Sequence, residues 1–437
     1  MRLASMSKQL IFGLFLLLSL GLFTYTLFRL ASFFRLTRKG FKVDRIGERI
    51  TTTLLVAFGQ TKILRKPVIG LMHALVYWGF MVITIGSLEM MIDGLAETER
   101  IFGSWGILYD FITASGDIFA AIIILSCFAF LARRHLMKVK RFSGVEMTTK
   151  SNMDATAALT MILILMFSLI GMNTGYLVNH RDDIVGSYPI SSLLTGLVSV
   201  ESAHMIQETN WWIHIVLIFV FLNILPYSKH FHIIMSIPNV FLTDLKPMTQ
   251  MNNMASVTKE VKLMMDPNTA FAAPAEDAPP PERFGVKDIE DITWKNYTDS
   301  LTCTECGRCT SVCPANITGK LLSPRKIMID TRKRMNDRGP GLSKDPNFDD
   351  GKSLVGDYIT AEELWACTTC NACVQECPVN IDQVSLIMDM RRNLVMEESN
   401  APKELVQMFT NIENNGSPWQ FSPDDRMKWA EGLSLRT

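Results

Sequence analysis

Two runs of cysteine in the C-terminal third of the chain have the type and spacing of ligands for iron–sulfur clusters. The first run is Cys303-x-x-Cys306-x-x-Cys309-x-x-x-Cys313-Pro314, and the second run is Cys367-x-x-Cys370-x-x-Cys373-x-x-x-Cys377-Pro378. In bacterial two-cluster ferredoxins this spacing gives three ligands to one cluster and the fourth to the other. The runs therefore predict two [4Fe–4S] clusters with crossed ligation. The thiols of set A are Cys303, Cys306, Cys309 and Cys377, and those of set B are Cys367, Cys370, Cys373 and Cys313.

Zinc binding and disulfide bonds are the alternative uses of these cysteines. Zinc ribbons are built from C-x-x-C pairs, whereas each run in this chain has four Cys and ends in Pro, which favours iron–sulfur clusters. Eight of the nine Cys belong to the two runs. The ninth, Cys127, lies in an apolar stretch, and we expect it to be a buried packing residue.

The elements that position these cysteines begin with an apolar first half. The chain has 437 residues and a net charge of zero, which gives no reason to expect a polyanionic partner. Five apolar stretches reach the length of about 20 residues that a membrane-spanning helix needs. Their approximate ranges are 10–33, 68–92, 108–132, 157–178 and 209–228. The first stretch is too long for a signal peptide, and no small-residue cleavage site follows it.

The charges of the connecting loops predict the orientation. The loops after spans one and three are basic, whereas those after spans two and four are acidic or mixed. Because basic loops stay in the cytoplasm, we expect a multi-pass protein of the inner membrane with a periplasmic N-terminus. Everything after span five is then cytoplasmic, a reducing compartment in which cluster thiolates survive.

The fold class predicted from these patterns is all-α, with a five-helix transmembrane bundle followed by a helical two-cluster ferredoxin domain. We expect residues 1–235 to form the transmembrane domain and 284–437 the ferredoxin domain. Between them, 236–283 combine a helical juxtamembrane segment with an Ala/Pro-rich linker at 267–281.

The ferredoxin domain is predicted to be helical because the insert between its two Cys runs is long. Ser323-Pro324 is a helix start, and Thr360 with Glu363 has the pattern of an N-cap with its reciprocal glutamate. We expect a further helix over 381–399. No G-x-G-x-x-G or P-loop pattern is present, so we expect no nucleotide or flavin site.

Histidines in the apolar half are the next candidates, because polar groups inside a bilayer are costly and often functional. His73 lies near the cytoplasmic end of span two, and His214 lies toward the periplasmic end of span five. His232 follows His214 by about five helical turns, or about 27 Å, and shares its face if the helix continues past Pro226. His230 is rotated by about 160° and is the second choice.

A b haem held by two imidazoles needs one His from each of two facing helices. By depth, His73 and His232 form such a pair, close to the cytoplasmic clusters. A second haem needs a partner for His214. Span two would supply it near Ile83, where no His occurs, although His180 or His204 could fold back from the periplasmic loop. Alternatively, His214 only bonds a neighbouring helix.

Glu89, Asp117 and His204 are the candidate groups for quinone and proton chemistry. The two carboxylates lie toward the periplasmic ends of their spans, and His204 lies in the adjoining loop. Carboxylates in that position could relay protons to a quinone or could pair across helices.

The chain resembles known families in several of these phrases. The five-span region resembles the haem b subunit of respiratory nitrate reductase. The phrases Gly70-Leu-Met-His-Ala-Leu-Val-Tyr-Trp-Gly-Phe80 and Trp211-Trp-Ile-His214, with Pro226-Tyr-Ser-Lys-His-Phe-His232, resemble membrane Fe–S oxidoreductases that link electron transfer flavoprotein to menaquinone. The C-terminal part resembles the small dicluster subunit of heterodisulfide reductase, including Ser323-Pro-Arg-Lys after the first run.

The resemblance implies a chain of cofactors that carries electrons from a cytoplasmic donor to menaquinone. In the nitrate reductase relatives, spans two and five supply two haem ligands each, and His73, His214 and His232 match three of the four. Fused members continue into a domain rich in Cys-Cys-Gly motifs. This chain ends at Thr437, so we expect that domain on a separate subunit, with electron transfer flavoprotein as the donor.

Two other functions fit the same residues. In one, quinol is oxidised and the clusters reduce a cytoplasmic disulfide or sulfur substrate. In the other, the spans only anchor a ferredoxin module to a larger complex and no electron transfer to the membrane occurs. The presence of haem distinguishes the membrane-anchor function from the two electron-transfer functions. The direction of electron flow depends on the reduction potentials of the cofactors, which the sequence does not determine.

Overall fold

A computed structural model describes residues 2–137, 139–142, 144, 146–266 and 283–433, and this part of the chain is helical with no β-strand. The helices of the first half are α1 Arg2–Phe33, α2 Ile46–Thr53, α3 Thr61–Leu64, α4 Pro67–Ala96, α5 Ile107–His135, α6 Thr149–Asn179 and α7 Val200–Ile224. Those of the second half are α8 His232–Phe241, α9 Ala255–Met265, α10 Trp294–Thr302, α11 Arg308–Val312, α12 Pro314–Ile317, α13 Pro324–Leu342, α14 Ala361–Trp365, α15 Ala372–Glu376, α16 Gln383–Met396 and α17 Lys403–Asn415.

Five of these helices are long and apolar enough to cross a membrane, as the sequence predicts. They are α1, α4, α5, α6 and α7, and they form one bundle in which α6 lies against both α5 and α7. The contact of α5 with α6 encloses Cys127, which is fully buried, so its interpretation as a packing residue is confirmed. Together with the helical C-terminal region, the bundle confirms the all-α fold class.

The chain breaks after span five, where the sequence analysis considered a continuous helix. Helix α7 ends at Ile224, Leu225–Tyr227 form a 3-10 turn, and Ser228 is extended with ψ of 154°. Proline lacks an N–H and its ring clashes with the preceding turn, so Pro226 ends the helix. His214 and His232 therefore lie on different helices, and the shared face calculated for one continuous helix is wrong.

The juxtamembrane segment is only partly helical. Helix α8 begins at His232 and runs to Phe241, so the predicted domain boundary at residue 235 falls inside it. Residues 242–254 are irregular before α9 begins at Ala255. The predicted linker at 267–281 lies outside the described residues.

The predicted caps of the cysteine-rich region are confirmed. The Ser323 side chain accepts a bond from Lys326 N at the start of α13, with Pro324 in the first turn. Thr360 and Glu363 form a reciprocal capping box at the start of α14. The helix predicted over 381–399 is α16. These caps satisfy N–H groups that would otherwise lack partners at the helix starts.

One hydrophobic core joins the bundle to the cysteine-rich region. Leu30 and Phe33, at the end of α1, and Phe231 pack in the same cluster as Tyr297 and Ile327. Next to this core, Arg38 N donates to Ile292 O at 2.8 Å, and Trp294 N donates to Arg38 O at 3.1 Å. Shared burial and backbone pairing fix the cysteine-rich region against one end of the bundle.

Arg334 holds the insert between the two Cys runs. Its guanidinium is fully buried and donates to Asp288 at 2.7 Å and to Asp350 at 2.6 Å. We expect Arg334→Met to lower the free energy of unfolding by about 3 kcal/mol, because it removes the main partner of Asp350 and one of the partners of the buried Asp288 carboxylate. Asp288 is then left with Arg338 as its one remaining ionic partner among the described residues. Urea denaturation of the detergent-solubilised protein, followed by tryptophan fluorescence, measures this. Lys344→Met, at an exposed position of the same insert, is the control, and an equal effect there would contradict the assignment.

Candidate metal centres

The two Cys runs fold into loops with the same backbone pattern. Glu305 and Gly307 in the first loop have φ of 57° and 71°, and Thr369 and Asn371, at the equivalent places in the second, have 54° and 58°. This left-handed region is uncommon for residues other than Gly. Each loop then leads into a short helix, α11 or α15, that carries the third Cys of its run. Both loops therefore wrap their first three thiols in the same way.

The thiols of set A come together across the two runs. Cys377 lies close enough to Cys303 and Cys306 to interact with them electrostatically, and Cys309 interacts with all three. The Cys377 sulfur accepts a bond from Ile381 N at 3.4 Å. The fourth Cys of the second run is thus grouped with three thiols of the first, which is the arrangement that crossed ligation needs.

Set B mirrors this arrangement. Cys373 interacts electrostatically with Cys367, Cys370 and Cys313, and Cys367 also interacts with Cys313. Cys309 and Cys373 belong to one buried cluster, so the two sets lie side by side. Their exposure differs, because Cys370 is the one exposed cysteine in the described part of the chain.

The thiol sets suit a cluster better than a single ion. No three His, Cys, Asp or Glu side chains within the described ranges converge closely enough to hold one metal ion. A [4Fe–4S] cluster instead takes each thiolate on a different iron, so its ligands surround a volume and not a point. Burial, with a neighbouring thiol, raises the pKa of Cys377 to about 12, and burial raises the pKa of Cys303 to about 11. A cation is therefore needed to stabilise these thiolates at neutral pH.

His73 and His232 lie near each other, on the side of the bundle that meets set A. They are close enough to interact electrostatically, and His73 also interacts with Arg308 of α11. His232 Nδ1 lies 3.0 Å from Lys229 O, which leaves Nε2 open. His73 Nδ1 and the hydroxyl of Tyr77, one turn later, are buried without a hydrogen-bond partner. His232, with one nitrogen bonded and the other open, and His73, with an unpartnered buried nitrogen, would together supply the two imidazoles that hold a b haem.

His230 is directed elsewhere. Its ring centre lies 6.0 Å from that of His232, and its Nδ1 lies 2.8 Å from Ser228 Oγ and 3.8 Å from Asp154. Burial lowers the pKa of His230 to about 3 and also lowers the pKa of His232. Both rings are therefore neutral at physiological pH, the form in which imidazole binds iron.

His214 does not face a second imidazole. It is 1% exposed, and its Nδ1 lies 2.9 Å from Leu165 O and 3.0 Å from Ser168 Oγ on α6. It lines a cavity together with Ile83, the position at which span two would have supplied a second ligand. No other His among the described residues lines that cavity, so its side chains do not fit a second bis-His haem.

The same cavity brings two of the three candidate quinone groups together. Glu89 is 3% exposed and accepts bonds from Tyr109 Oη at 2.9 Å and Phe102 N at 3.0 Å. Asp117 also lines the cavity and accepts three bonds, from the N–H groups of Ile190 and Ser191 and from the Ser191 hydroxyl. His204 lies on an exposed face of α7 and does not line the cavity.

Sequence reasoning missed the residues that surround these groups. Arg100 lines the cavity beside Glu89 and stacks on Tyr176, with its guanidinium carbon 4.5 Å from the ring centre. Lys229 and Glu305 form a buried ion pair at 3.2 Å between the bundle and the first Cys run. Lys229 stands in a quoted phrase and Glu305 stands between two ligand positions, but no spacing rule pairs residues so far apart in the chain.

Comparisons with known proteins agree with the iron–sulfur interpretation. Residues 302–381 match the family model described as a 4Fe-4S dicluster domain. The chain is 30% identical to a probable iron-sulfur-binding oxidoreductase, FadF, of Bacillus subtilis, over 94% of this chain and 59% of that protein. It is 26% identical to an EtfAB:quinone oxidoreductase of Syntrophomonas wolfei, over 90% of this chain and 55% of that protein.

A third relative matches about a quarter of the chain. It is a component of a CoB-CoM heterodisulfide reductase of Methanosarcina acetivorans, and it is 34% identical over 100 residues, which are 23% of this chain and 48% of that protein. No solved structure matches the chain. The chain thus spans little more than half the length of the two longer relatives.

Proposed function

We propose that this protein is the membrane-embedded electron-transfer subunit of a quinone-linked oxidoreductase. It passes electrons between a cytoplasmic donor and menaquinone through two [4Fe–4S] clusters and one b haem. We propose residues 1–235 as the haem-binding membrane domain and 284–437 as the ferredoxin domain, joined by 236–283. The iron–sulfur and oxidoreductase names of the relatives support this proposal.

The observation that carries the proposal is the position of set A beside His73 and His232 at one end of the bundle. Arg308 follows the first loop directly and interacts with His73. Iron–sulfur clusters and haem supply reversible one-electron chemistry when bound. The protein holds the thiol sets side by side, orients the imidazole of His232 through the backbone oxygen of Lys229, and buries three of the four set A thiols.

The donor and the location follow from the resemblance and the loop charges. We propose a protein of the inner membrane with a periplasmic N-terminus and a cytoplasmic ferredoxin domain. The donor is electron transfer flavoprotein, acting through a Cys-Cys-Gly subunit like that of heterodisulfide reductase. The names of the Syntrophomonas wolfei and Methanosarcina acetivorans relatives support these partners.

The cavity around Glu89 is the proposed site for the quinone headgroup. Glu89 accepts one bond at each oxygen and keeps a lone pair for exchange with a quinone, whereas Asp117 accepts three bonds from the loop at 190–191. Arg100 and Tyr109 place positive charge and a hydroxyl beside Glu89. Quinone reduction takes up a proton with each electron, so a buried carboxylate in the cavity has a direct role.

Glu89→Gln tests this site. The variant keeps the shape and an acceptor for Tyr109 but cannot release a proton. With the chemically reduced protein and a menaquinone analogue in stopped flow, we expect haem oxidation to slow by about a hundredfold, the size of a lost proton-transfer step. Glu208→Gln, at an exposed ion pair with Lys8 on the same side of the bundle, is the matched control and should leave the rate unchanged.

Three results would change the proposal. An unchanged rate in Glu89→Gln removes Glu89 from quinone chemistry. Failure of quinone to oxidise the reduced wild-type protein removes the quinone-linked function and favours a membrane anchor. Rapid cluster reduction by the quinol, without quinone reduction by the donor flavoprotein, reverses the direction and favours a disulfide or sulfur reductase.

A further inference from the structure

Lys229 lies at the junction between the membrane bundle and the first Cys run. It follows the break at Ser228, and its side chain is 8% exposed. Its ammonium lies 2.6 Å from Ser151 O, 2.7 Å from Ser151 Oγ and 3.2 Å from Glu305 Oε2. Its three donors are thus directed at the start of α6 and at the loop of the first run, so the buried charge is fully partnered.

The side chain and the backbone of Lys229 bond to different parts of the protein. While its ammonium holds Glu305, its carbonyl oxygen accepts a bond from His232 Nδ1 at 3.0 Å. Glu305 stands between Cys303 and Cys306 and is further held by Arg332 Nη2 at 2.5 Å. One residue therefore connects the loop of set A to an imidazole of the proposed haem site.

A second bridge reaches the other imidazole. Arg308 donates to Lys62 O at 3.0 Å and to Ile63 O at 3.2 Å, in the short helix that precedes α4 and His73. In return, Lys62 Nζ donates to Cys377 O at 3.2 Å. Set A is therefore tied to both His-bearing segments, from opposite sides.

Set B has weaker ties to the bundle: Arg65 Nη1 donates to Gln375 O at 3.3 Å, at an exposed position of the helix that carries Cys373. Cys367 O accepts from Arg391 Nη2 of α16, within the cysteine-rich region itself, and Cys370 is exposed. The two sets are alike in backbone but differ in surroundings. One is enclosed by the bundle, and the other reaches the surface.

We infer that Lys229 is a positioning residue that fixes set A against His232. Set A is then the membrane-side station for electrons, and set B, through the surface around Cys370, exchanges electrons with the soluble redox partner. This inference rests on the proposed function but does not depend on quinone. It gives the order of the two clusters along the path of the electrons, whichever way the electrons flow.

The test removes the Lys229–Glu305 pair with no change in net charge. Lys229→Met with Glu305→Gln is similar in volume and leaves no lone lysine or glutamate charge, while Arg332 keeps its bonds to Ser300 O and Cys303 O. The control is Lys295→Met with Asp299→Asn, which removes another buried ion pair, at 2.6 Å, whose lysine also bonds Asn239 of α8. Lys229→Arg is the conservative variant that keeps the charge.

The readout is haem reduction by a reduced bacterial two-cluster ferredoxin, a protein too large to reach the haem directly. In stopped flow we expect the limiting rate at high donor concentration to fall at least about tenfold in the double variant, as for a small misplacement of reacting groups. Haem content and both cluster EPR signals should persist, with an altered line shape for set A. Lys229→Arg should recover most of the rate, and the control pair should leave it unchanged.

Thr368→Trp tests whether set B is the cluster that exchanges electrons with the soluble partner. Thr368 is exposed beside Cys370, so a bulky side chain there should lower the dependence of the rate on ferredoxin concentration but not its limit. An unchanged limit in the Lys229/Glu305 variant, or an equal fall in the control, overturns the inference. Normal haem reduction without quinone reduction would instead refute the proposed function alone, and wild-type protein without haem would refute both.

Discussion

Replacing Cys377 with serine should abolish the EPR signal of the cluster held by the first Cys run and spare that of the second. Cys377 belongs to the second run by sequence, but its thiol lies with those of Cys303, Cys306 and Cys309. Loss of one thiolate ligand converts or releases the cluster that it serves. EPR of the dithionite-reduced variant, with iron and sulfide analysis, measures the effect, and we expect about half of the iron to be lost.

Cys313→Ser supplies the reciprocal experiment. Cys313 interacts with Cys367 and Cys373, so its loss should damage the second cluster and spare the first. Cys127→Ala, which removes a buried thiol far from either set, should leave both signals. If each fourth Cys instead affected the cluster of its own run, the crossed arrangement would be refuted.

Replacing His73 with alanine should remove the b haem and leave both clusters. His73 lies close enough to His232 to interact with it electrostatically, and no other His within the described part of the chain does so. Without His73, His232 alone would remain to hold a haem that needs two imidazoles. A pyridine haemochrome assay on the purified variant should show loss of essentially all haem, with both cluster EPR signals unchanged.

The fraction of haem lost also shows whether the protein binds one haem or two. If His214 held a second haem, the His73→Ala variant would retain about half of the haem, and the His214→Ala variant would lose the other half. His135→Ala, at the end of α5 beside Thr156, is the control and should retain full haem. Full retention in His73→Ala would refute the pair and favour a ferredoxin module that is only anchored to the membrane.

The similar backbone of the two Cys loops follows from local spacing. A C-x2-C-x2-C loop has few ways to fold, and the same left-handed residues recur in both runs, Glu305 with Gly307 and Thr369 with Asn371. The five spans could be predicted because each needs only a long apolar stretch. The caps at Ser323 and Thr360 are likewise local, with donor and acceptor three residues apart.

The missed features depend on contacts between distant parts of the chain. Helical periodicity does not reveal whether a proline kinks a helix or ends it, so the break after Ile224 needed the structure. Lys229 and Glu305 are 76 residues apart, and neither has an unusual pattern of its own. The separation of Glu89 from Asp117 as candidates came from their bonds, because Asp117 holds a loop 73 residues away.

The exposure of Cys370 indicates how the protein should fail in air. Dissolved oxygen and peroxide would reach the more accessible of the two proposed clusters first, and a cysteine oxidised beyond the sulfenic stage is not restored by ordinary thiols. Cys303, Cys309 and Cys377 of set A are buried. In the proposed arrangement, aerobic damage should therefore begin at set B and stop exchange with the soluble partner before the haem is affected. A preparation that keeps its haem absorbance would then already be inactive with its donor.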